Sequence, residues 1–359
     1  MIKLIKPYIS FEEVQSEFKE IFESGWFTKG KFVEEFREEI KNYTGANHAY
    51  LTTSATTALT MALKALNIKS GDEVIVSDFS FPATANVVED IGAIPIFADV
   101  SLDTFNMLPN DLESKITSKT KAVIFVDALG NPSGIHDIKE ICKKYNLPLI
   151  EDGACAIGSS EFGVRCGNIA DITCFSFHPR KLLTMGEGGA ITFNDSKYVD
   201  FFDIKLNHGA VVNDGKFDFV DYGYNYRVPE LQCVMGIKQL QKLDEIVSSR
   251  NNIRDEYTKA LEPLGFQVQK ITNSVVYNVQ SLVFVIPKNI NRDDLVKYLK
   301  EQKIETTIGT YCLSGTTFYK NKYSNVQPNA LYLENNTITF PCYSGLDLEY
   351  IISQIREYT

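Results

Sequence analysis

The chain is short of the residues that usually build metal and redox centres. Its four histidines (His48, His136, His178 and His208) are scattered without a His-x-x-x-His spacing, so no metal site is expected. Seven cysteines form no Cys-x-x-Cys pair and mostly sit in apolar surroundings, which reads as reduced core thiols of a cytoplasmic protein. Positive charge is also scarce: 36 Lys+Arg stand against 46 Asp+Glu, a net charge of −10, with no basic block. A general nucleic-acid surface needs such a block, so no nucleic-acid partner is expected. No apolar run approaches the roughly 20 residues of a membrane span. The amino terminus, Met1-Ile-Lys-Leu-Ile-Lys-Pro-Tyr8, is charged at intervals and broken by Pro7, unlike a signal peptide. The expected location is cytoplasmic.

What is present is core-forming material, 44% hydrophobic and 12% aromatic residues in a chain of 359. A single core stops growing near roughly 250–300 residues, so a large domain over 1–245 with an N-terminal arm, and a smaller one over 246–359, are expected. From residue 46 onward, apolar runs such as Glu73–Ser77, Ala122–Val126 and Leu147–Ile150 alternate with helical stretches at Thr56–Leu66, Ala83–Ile91 and Ile135–Tyr145. That alternation predicts an α/β fold, a mainly parallel central sheet flanked by helices. Ala170–Phe177 and Gly189–Phe193 read as two further strands. After Pro229 the spacing predicts long helices to Leu264, then a small α+β unit, with Ser314–Asn329 as a long irregular loop.

Three stretches carry chemistry. The first, Ala49-Tyr-Leu-Thr-Thr-Ser-Ala-Thr56, runs from a strand into a helix that opens on small hydroxyl residues, where backbone N–H groups and the helix dipole favour an anion such as a phosphate. An unliganded Ser/Thr cap explains the same residues. The second, Leu149-Ile-Glu-Asp-Gly-Ala-Cys155, carries an apolar strand into an acidic pair. Ligands of doubly wound sheets sit at strand carboxyl ends, so Asp152 is a site candidate, or else a cap. In the third, Cys174-Phe-Ser-Phe-His-Pro-Arg-Lys181, a strand ends in Ser176 and a lysine follows five residues later, ahead of Gly186-Glu-Gly-Gly189. A lysine beside aromatics that exclude water suits Schiff-base chemistry; an ordinary loop lysine is the plain alternative. Together, an anion cradle, a carboxylate and a lysine are what pyridoxal 5′-phosphate (PLP) needs for its phosphate, ring nitrogen and aldehyde. Phe81, at another strand end, offers a plate for the ring.

The ordered set Thr53-Ser-Ala-Thr56, Phe81-Pro-Ala-Thr-Ala-Asn86, Glu151-Asp152, Ser176-Phe-His-Pro-Arg-Lys181, Gly186-Glu-Gly-Gly189 and Gly223-Tyr-Asn-Tyr-Arg227 resembles the DegT/DnrJ/EryC1/StrS sugar aminotransferases, which are fold-type I PLP enzymes. The likeness runs from Gly25-Trp-Phe-Thr-Lys-Gly30 to Phe340-Pro-Cys-Tyr-Ser-Gly345. It implies that Lys181 carries the cofactor and shuttles the proton, and that Asp152 holds the pyridinium nitrogen. Ser54, Ala55, Thr56 and Ser176 would bind the phosphate, and Phe81 would stack on the ring. Asn225 would reach the phosphate from the partner of a homodimer. Cys155 stands where family members often carry Gln or Glu able to contact the cofactor's phenolic oxygen. Trp26, Phe27, His178, Arg227 and Tyr311 are candidates for the substrate pocket.

The resemblance implies a cycle between PLP and pyridoxamine 5′-phosphate, with L-glutamate as amino donor. The expected acceptor is a nucleotide-linked keto-deoxysugar of cell-surface polysaccharide synthesis. Gly309-Thr-Tyr-Cys-Leu-Ser-Gly-Thr-Thr317 lacks the proline and histidine of the Tyr-x-Pro-Leu-His stretch found in many nucleotide-sugar members, which keeps a small phosphorylated ketone, such as dihydroxyacetone phosphate, as the alternative acceptor. A PLP-dependent sugar dehydratase is disfavoured, because that branch has His in place of the lysine. A non-catalytic PLP-binding sensor would need an output module that the sequence does not show.

Overall fold

The computed structural model describes all residues, 1–359. Two amphipathic helices come first, α1 (Gln15–Ser24) and α2 (Lys31–Thr44), each stopped by a glycine in the left-handed region, Gly25 and Gly45. Seven strands then build the central sheet: β1 (His48–Thr52), β2 (Glu73–Ser77), β3 (Ile94–Ala98), β4 (Thr120–Val126), β5 (Leu149–Asp152), β6 (Ile172–Ser176) and β7 (Gly189–Phe193). Their order across the sheet is β1-β7-β6-β5-β4-β2-β3. Only β7 is antiparallel to its neighbours, so β1, β6, β5, β4 and β2 all end on one edge.

The runs are apolar on both faces because helices cover both. On one side Ala58, Met61 and Leu63 of α3 (Ala55–Ala65) and Val87 and Val88 of α4 (Ala83–Asp90) pack with Val74, Ile124, Ile172 and Ile191. On the other, Phe36 of α2 meets Phe175 and Phe177, and Ile135 and Ile138 meet Val123 and Phe125. Burying a side chain of this size stabilises by about 1.5–3 kcal/mol.

The stretch after Pro229 forms two helices, Glu230–Leu240 and Leu243–Leu261. The second contributes Leu243, Ile246 and Val247 to the core beside α2, and Ile253, Tyr257 and Leu261 to a separate core. It therefore passes through position 245/246, where a domain boundary was expected. The second core packs onto an antiparallel sheet of Gln267–Val268, Leu282–Val285 and Thr337–Phe340, with Tyr257 stacked on Phe340 at 5.7 Å.

The expected long loop at Ser314–Asn329 is corrected. Thr317–Tyr323 is a helix, and Pro328 opens another to Asn336. The inward face of the first is two tyrosines one turn apart: Tyr319 packs edge-on against Phe97 at 5.1 Å and donates to Asn86 Oδ1 at 2.7 Å, and Tyr323 meets Phe97 at 6.3 Å. No helix of the chain is long and apolar enough to cross a membrane.

Candidate active site

The strand ends on the shared edge deliver the chemistry. After β1, Ser54 caps α3: its hydroxyl accepts from Thr57 N–H at 3.1 Å, while the Thr57 hydroxyl accepts from Ser54 N–H at 3.1 Å. This reciprocal cap leaves the next N–H groups, those of Ala55 and Thr56, with no preceding helical turn to accept them, so they are available to an anion. Gly189 of β7 lies between this turn and β6. A Cβ there would sit 2.6 Å from the Ser54 carbonyl carbon and 2.8 Å from Phe175 O, so only glycine lets the strand close on the cap. Gly189 pairs with Ser176, placing the Ser176 hydroxyl beside the same cradle.

Beyond Ser176 the chain turns back, with Lys181 N–H donating to His178 O at 2.8 Å. This turn presents the Lys181 side chain to Cys155, where Nζ donates to Sγ at 3.0 Å. Asp152, at the end of β5, is 4% exposed. Thr84 of α4 donates to its Oδ2 at 2.7 Å and Ala154 N–H to its Oδ1 at 3.2 Å. Burial pushes this carboxyl above the usual carboxylate range, against the opposing pull of Thr84, Ala154 and the nearby Lys181 ammonium. Its turn-forming bond to Ala154 is the cap-like role weighed from sequence, and it occupies only one oxygen. Phe81, just before α4, is 66% exposed although it sits among buried strand ends. Tyr311 faces it with ring centroids 6.3 Å apart, because Tyr311–Cys312 pairs with Phe79–Ser80.

An arc along this edge thus joins Ser54, Ala55, Thr56, Ser176, Lys181, Cys155, Asp152, Phe81 and Tyr311, with His178 at its border, where its Nδ1 accepts from Arg180 N–H at 3.1 Å and its Nε2 lies 3.9 Å from Glu187. The other expected residues lie outside it. Trp26 packs over Gly30, Phe27 meets Phe22 edge-on at 5.4 Å, and Arg227 lies near Lys29. Asn225 is exposed on the segment that leads out from the hairpin of Ala210–Asn213 and Lys216–Phe219. Sequence reasoning missed the role of Thr84, although it lies inside the Phe81-Pro-Ala-Thr84 stretch. It also missed Asp78, which reaches Ser314 across 236 residues and so leaves no local signal.

PLP fits this arc. The buried Asp152 carboxylate has neutral donors on both oxygens and would gain a cationic N–H from a protonated ring. The exposed Phe81 face would gain a ring to cover it, and the glycine-lined helix start would gain a phosphate. Fold and arc together define a PLP-dependent aminotransferase of fold type I.

The chain belongs to the DegT/DnrJ/EryC1/StrS aminotransferase family, whose model matches residues 9–356. It is 31% identical over 365 residues to the GDP-perosamine synthase of Vibrio cholerae, covering 100% of this chain and 99% of that one. Over 239 residues, 66% of this chain and 63% of the relative, it is 38% identical to the UDP-4-amino-4,6-dideoxy-N-acetyl-beta-L-altrosamine transaminase of Campylobacter jejuni. Solved PLP and PMP (pyridoxamine phosphate) forms of Spr1654 from Streptococcus pneumoniae align with TM-score 0.92 at 27% identity, over 99% of this chain and 98% of theirs. The enzyme is a PLP-dependent transaminase whose cofactor cycles between these two forms.

Proposed function

We propose that the enzyme takes an amino group from L-glutamate and delivers it to the keto group of a nucleotide-linked keto-deoxysugar used in cell-surface polysaccharide synthesis. The observation that carries the catalytic assignment is the placement of Lys181 Nζ 3.0 Å from Cys155 Sγ and beside the buried Asp152. The names of the Vibrio and Campylobacter relatives support the acceptor class, since both denote amino sugars carried on a nucleoside diphosphate.

When bound, PLP supplies an electron sink for the charge left on the substrate carbon as it loses a proton. Lys181 would supply the amine that anchors the cofactor and the base that moves the proton of the substrate carbon. Asp152, whose ionised form Thr84 and the Ala154 N–H favour against the effect of burial, would hold the proton on the ring nitrogen. The amides of Ala55 and Thr56 and the Ser176 hydroxyl orient the phosphate. Phe81 would exclude water from one ring face, and Cys155, beside Lys181, would stand where relatives often present a Gln or Glu to the cofactor. His178 and Tyr311 border the arc and are assigned to the acceptor pocket.

A homodimer completes the site in this reading. The hairpin beside Asn225 exposes Val212, Phe217, Phe219, Val220 and Tyr222, each more than half accessible in the single chain. Exposed apolar clusters of this kind mark interfaces, and a second copy covering this one would bring Asn225 to its neighbour's phosphate cradle. Trp26, Phe27 and Arg227, outside the arc of their own chain, are assigned to the acceptor side on the same argument.

The test is a two-stage titration. L-glutamate should convert the visible band of the bound cofactor to the pyridoxamine form, and one nucleotide-linked keto sugar should restore it. Restoration by dihydroxyacetone phosphate instead would replace the acceptor assignment, and indifference to glutamate would replace the donor.

A further inference from the structure

Behind Asp152, on the opposite face of the sheet, lies a second acidic centre that the reaction does not use. Asp127 follows β4 and Glu151 is the penultimate residue of β5; both are fully buried. Their carboxyl oxygens and Cys166 Sγ lie within 4.8 Å of one another. Both Asp127 oxygens and Glu151 Oε1 have no hydrogen-bond partner, whereas Glu151 Oε2 accepts from Gly167 N–H at 3.0 Å and Thr173 Oγ1 at 2.5 Å.

Three buried acceptor oxygens without a donor would cost several kcal/mol if both acids were ionised. One proton removes most of that cost. The donors already on Glu151 Oε2 stabilise negative charge there, so the proton belongs on Asp127, whose hydroxyl then donates to Glu151 Oε1. The groups facing the pair add no cation: Asp152 at the end of β5, Cys155 just after it, Cys166 from the turn after Arg165, and Cys174 of β6. Desolvation pushes Asp127 well above the ordinary carboxylate range, with Glu151, Asp152 and Cys155 adding to the rise. The pair is also tied to the catalytic strand, since Asp127 N–H donates to Asp152 O at 3.2 Å.

We propose that Asp127 and Glu151 hold a single proton between them, Asp127 as the acid, and that the one negative charge left on Glu151 biases the ring nitrogen at Asp152 toward its protonated form. Asp127 and Glu151 are positioning residues that act through Asp152, and this second part rests on the assignment of Asp152 above. A fully ionised pair would draw a proton onto Asp152 itself. A neutral pair would remove a charge that favours the pyridinium. One shared proton avoids both.

The pair is tested first on the apoprotein, by chemical denaturation between pH 5 and 7. Each extra proton bound by the folded state lowers the folding constant about tenfold per pH unit over this range. Asp127→Asn places an N–H where the acid proton stood and keeps the charge on Glu151, so its pH slope should be shallower than the wild-type slope by one proton. Glu151→Gln donates the other way and should show the same change, which covers the case in which the first variant does not fold. Equal slopes in variant and wild type, or one equivalent of tightly held metal ion released from the purified protein, would overturn the shared proton.

The coupling is read on the holoenzyme loaded with cofactor labelled at the ring nitrogen, from the 15N signal. Asp127→Asn should leave the signal in place, and the double variant Asp127→Asn, Glu151→Gln should move it toward the unprotonated value. A double variant unchanged while Asp152→Asn shifts would overturn the bias alone. A signal unchanged in Asp152→Asn as well would overturn the role given to Asp152.

Discussion

Ser314 grips Asp78 with two donors, its backbone N–H at 2.7 Å from Oδ1 and its hydroxyl at 2.6 Å from Oδ2. Cys312 Sγ adds a third at 3.2 Å from Oδ2. Asp78 directly follows β2 and Ser314 lies two residues after the Tyr311–Cys312 pairing, so this grip holds Tyr311 against Phe81. The aromatic edge of the arc therefore depends on a buried carboxyl that touches neither ring.

That carboxyl gives the fold a pH dependence of definite sign. Desolvation raises Asp78 from 3.8 to about 6, against the opposing pull of its donors. Between those values the folded chain holds a proton that the unfolded chain has lost, so stability falls as pH rises from about 4 to about 6. The loss amounts to about 3 kcal/mol for this group. Asp78→Asn should flatten the denaturation profile by up to one proton in that window. An unaltered slope would mean that the three donors already hold the carboxylate ionised.

Two glycines of one short motif should fail for different reasons when changed to alanine. Gly189→Ala drives a methyl into the Ser54 carbonyl and the Phe175 backbone, neither of which is the tip of a flexible side chain. It should destabilise by about 1–3 kcal/mol and weaken PLP binding, because the strand and the phosphate cradle move apart. Gly186 has open space around it but a φ of +80°, so Gly186→Ala should cost about 1 kcal/mol and leave PLP affinity nearly unchanged. Thermal melts with PLP titration separate the two; equal affinity losses would show that the cradle does not depend on Gly189.

The sequence showed most where chemistry is local. Parallel strands ending on one edge put Ser54, Asp152 and Ser176 at strand ends that can be read from apolar runs. What escaped was long-range. Asp127 and Glu151 meet because β4 and β5 are neighbours, Asp78 meets Ser314 through the chain's return from the C-terminal part, and helix Thr317–Tyr323 is set by Tyr319 against Phe97. No window of sequence contains both members of those pairs. The partner chain proposed for Asn225 would be illegible for the same reason.

Thr84 is the cheapest residue through which to weaken Asp152. Its hydroxyl donates to Oδ2 at 2.7 Å and is paired with Ser80 Oγ at 2.8 Å. Thr84→Val keeps the shape and removes the donor, leaving a buried carboxylate oxygen unpaired at a cost of about 1–3 kcal/mol. Because Thr84 pulls the Asp152 proton affinity down, its loss should raise that affinity and lower kcat about tenfold with little change in the donor KM. A variant with wild-type kcat would remove Asp152 ionisation from the rate.

Subunit mixing decides whether the site is shared. Lys181→Ala should abolish glutamate turnover while the protein stays folded, since Lys181 is half-buried in a bend and its Nζ makes one hydrogen bond, to Cys155. Asn225→Ala should bind PLP more weakly and turn over poorly at low cofactor, although Asn225 touches nothing in the arc of its own chain. If the site is composite, a mixed dimer of the two variants holds one site with both residues intact and one with neither. Unfolding and refolding the variants together should then restore activity to about a quarter of wild type at limiting PLP, given random pairing into half mixed dimers with one working site each. A mixture no more active than its components would place Asn225 away from the phosphate and leave the apolar hairpin to some other contact.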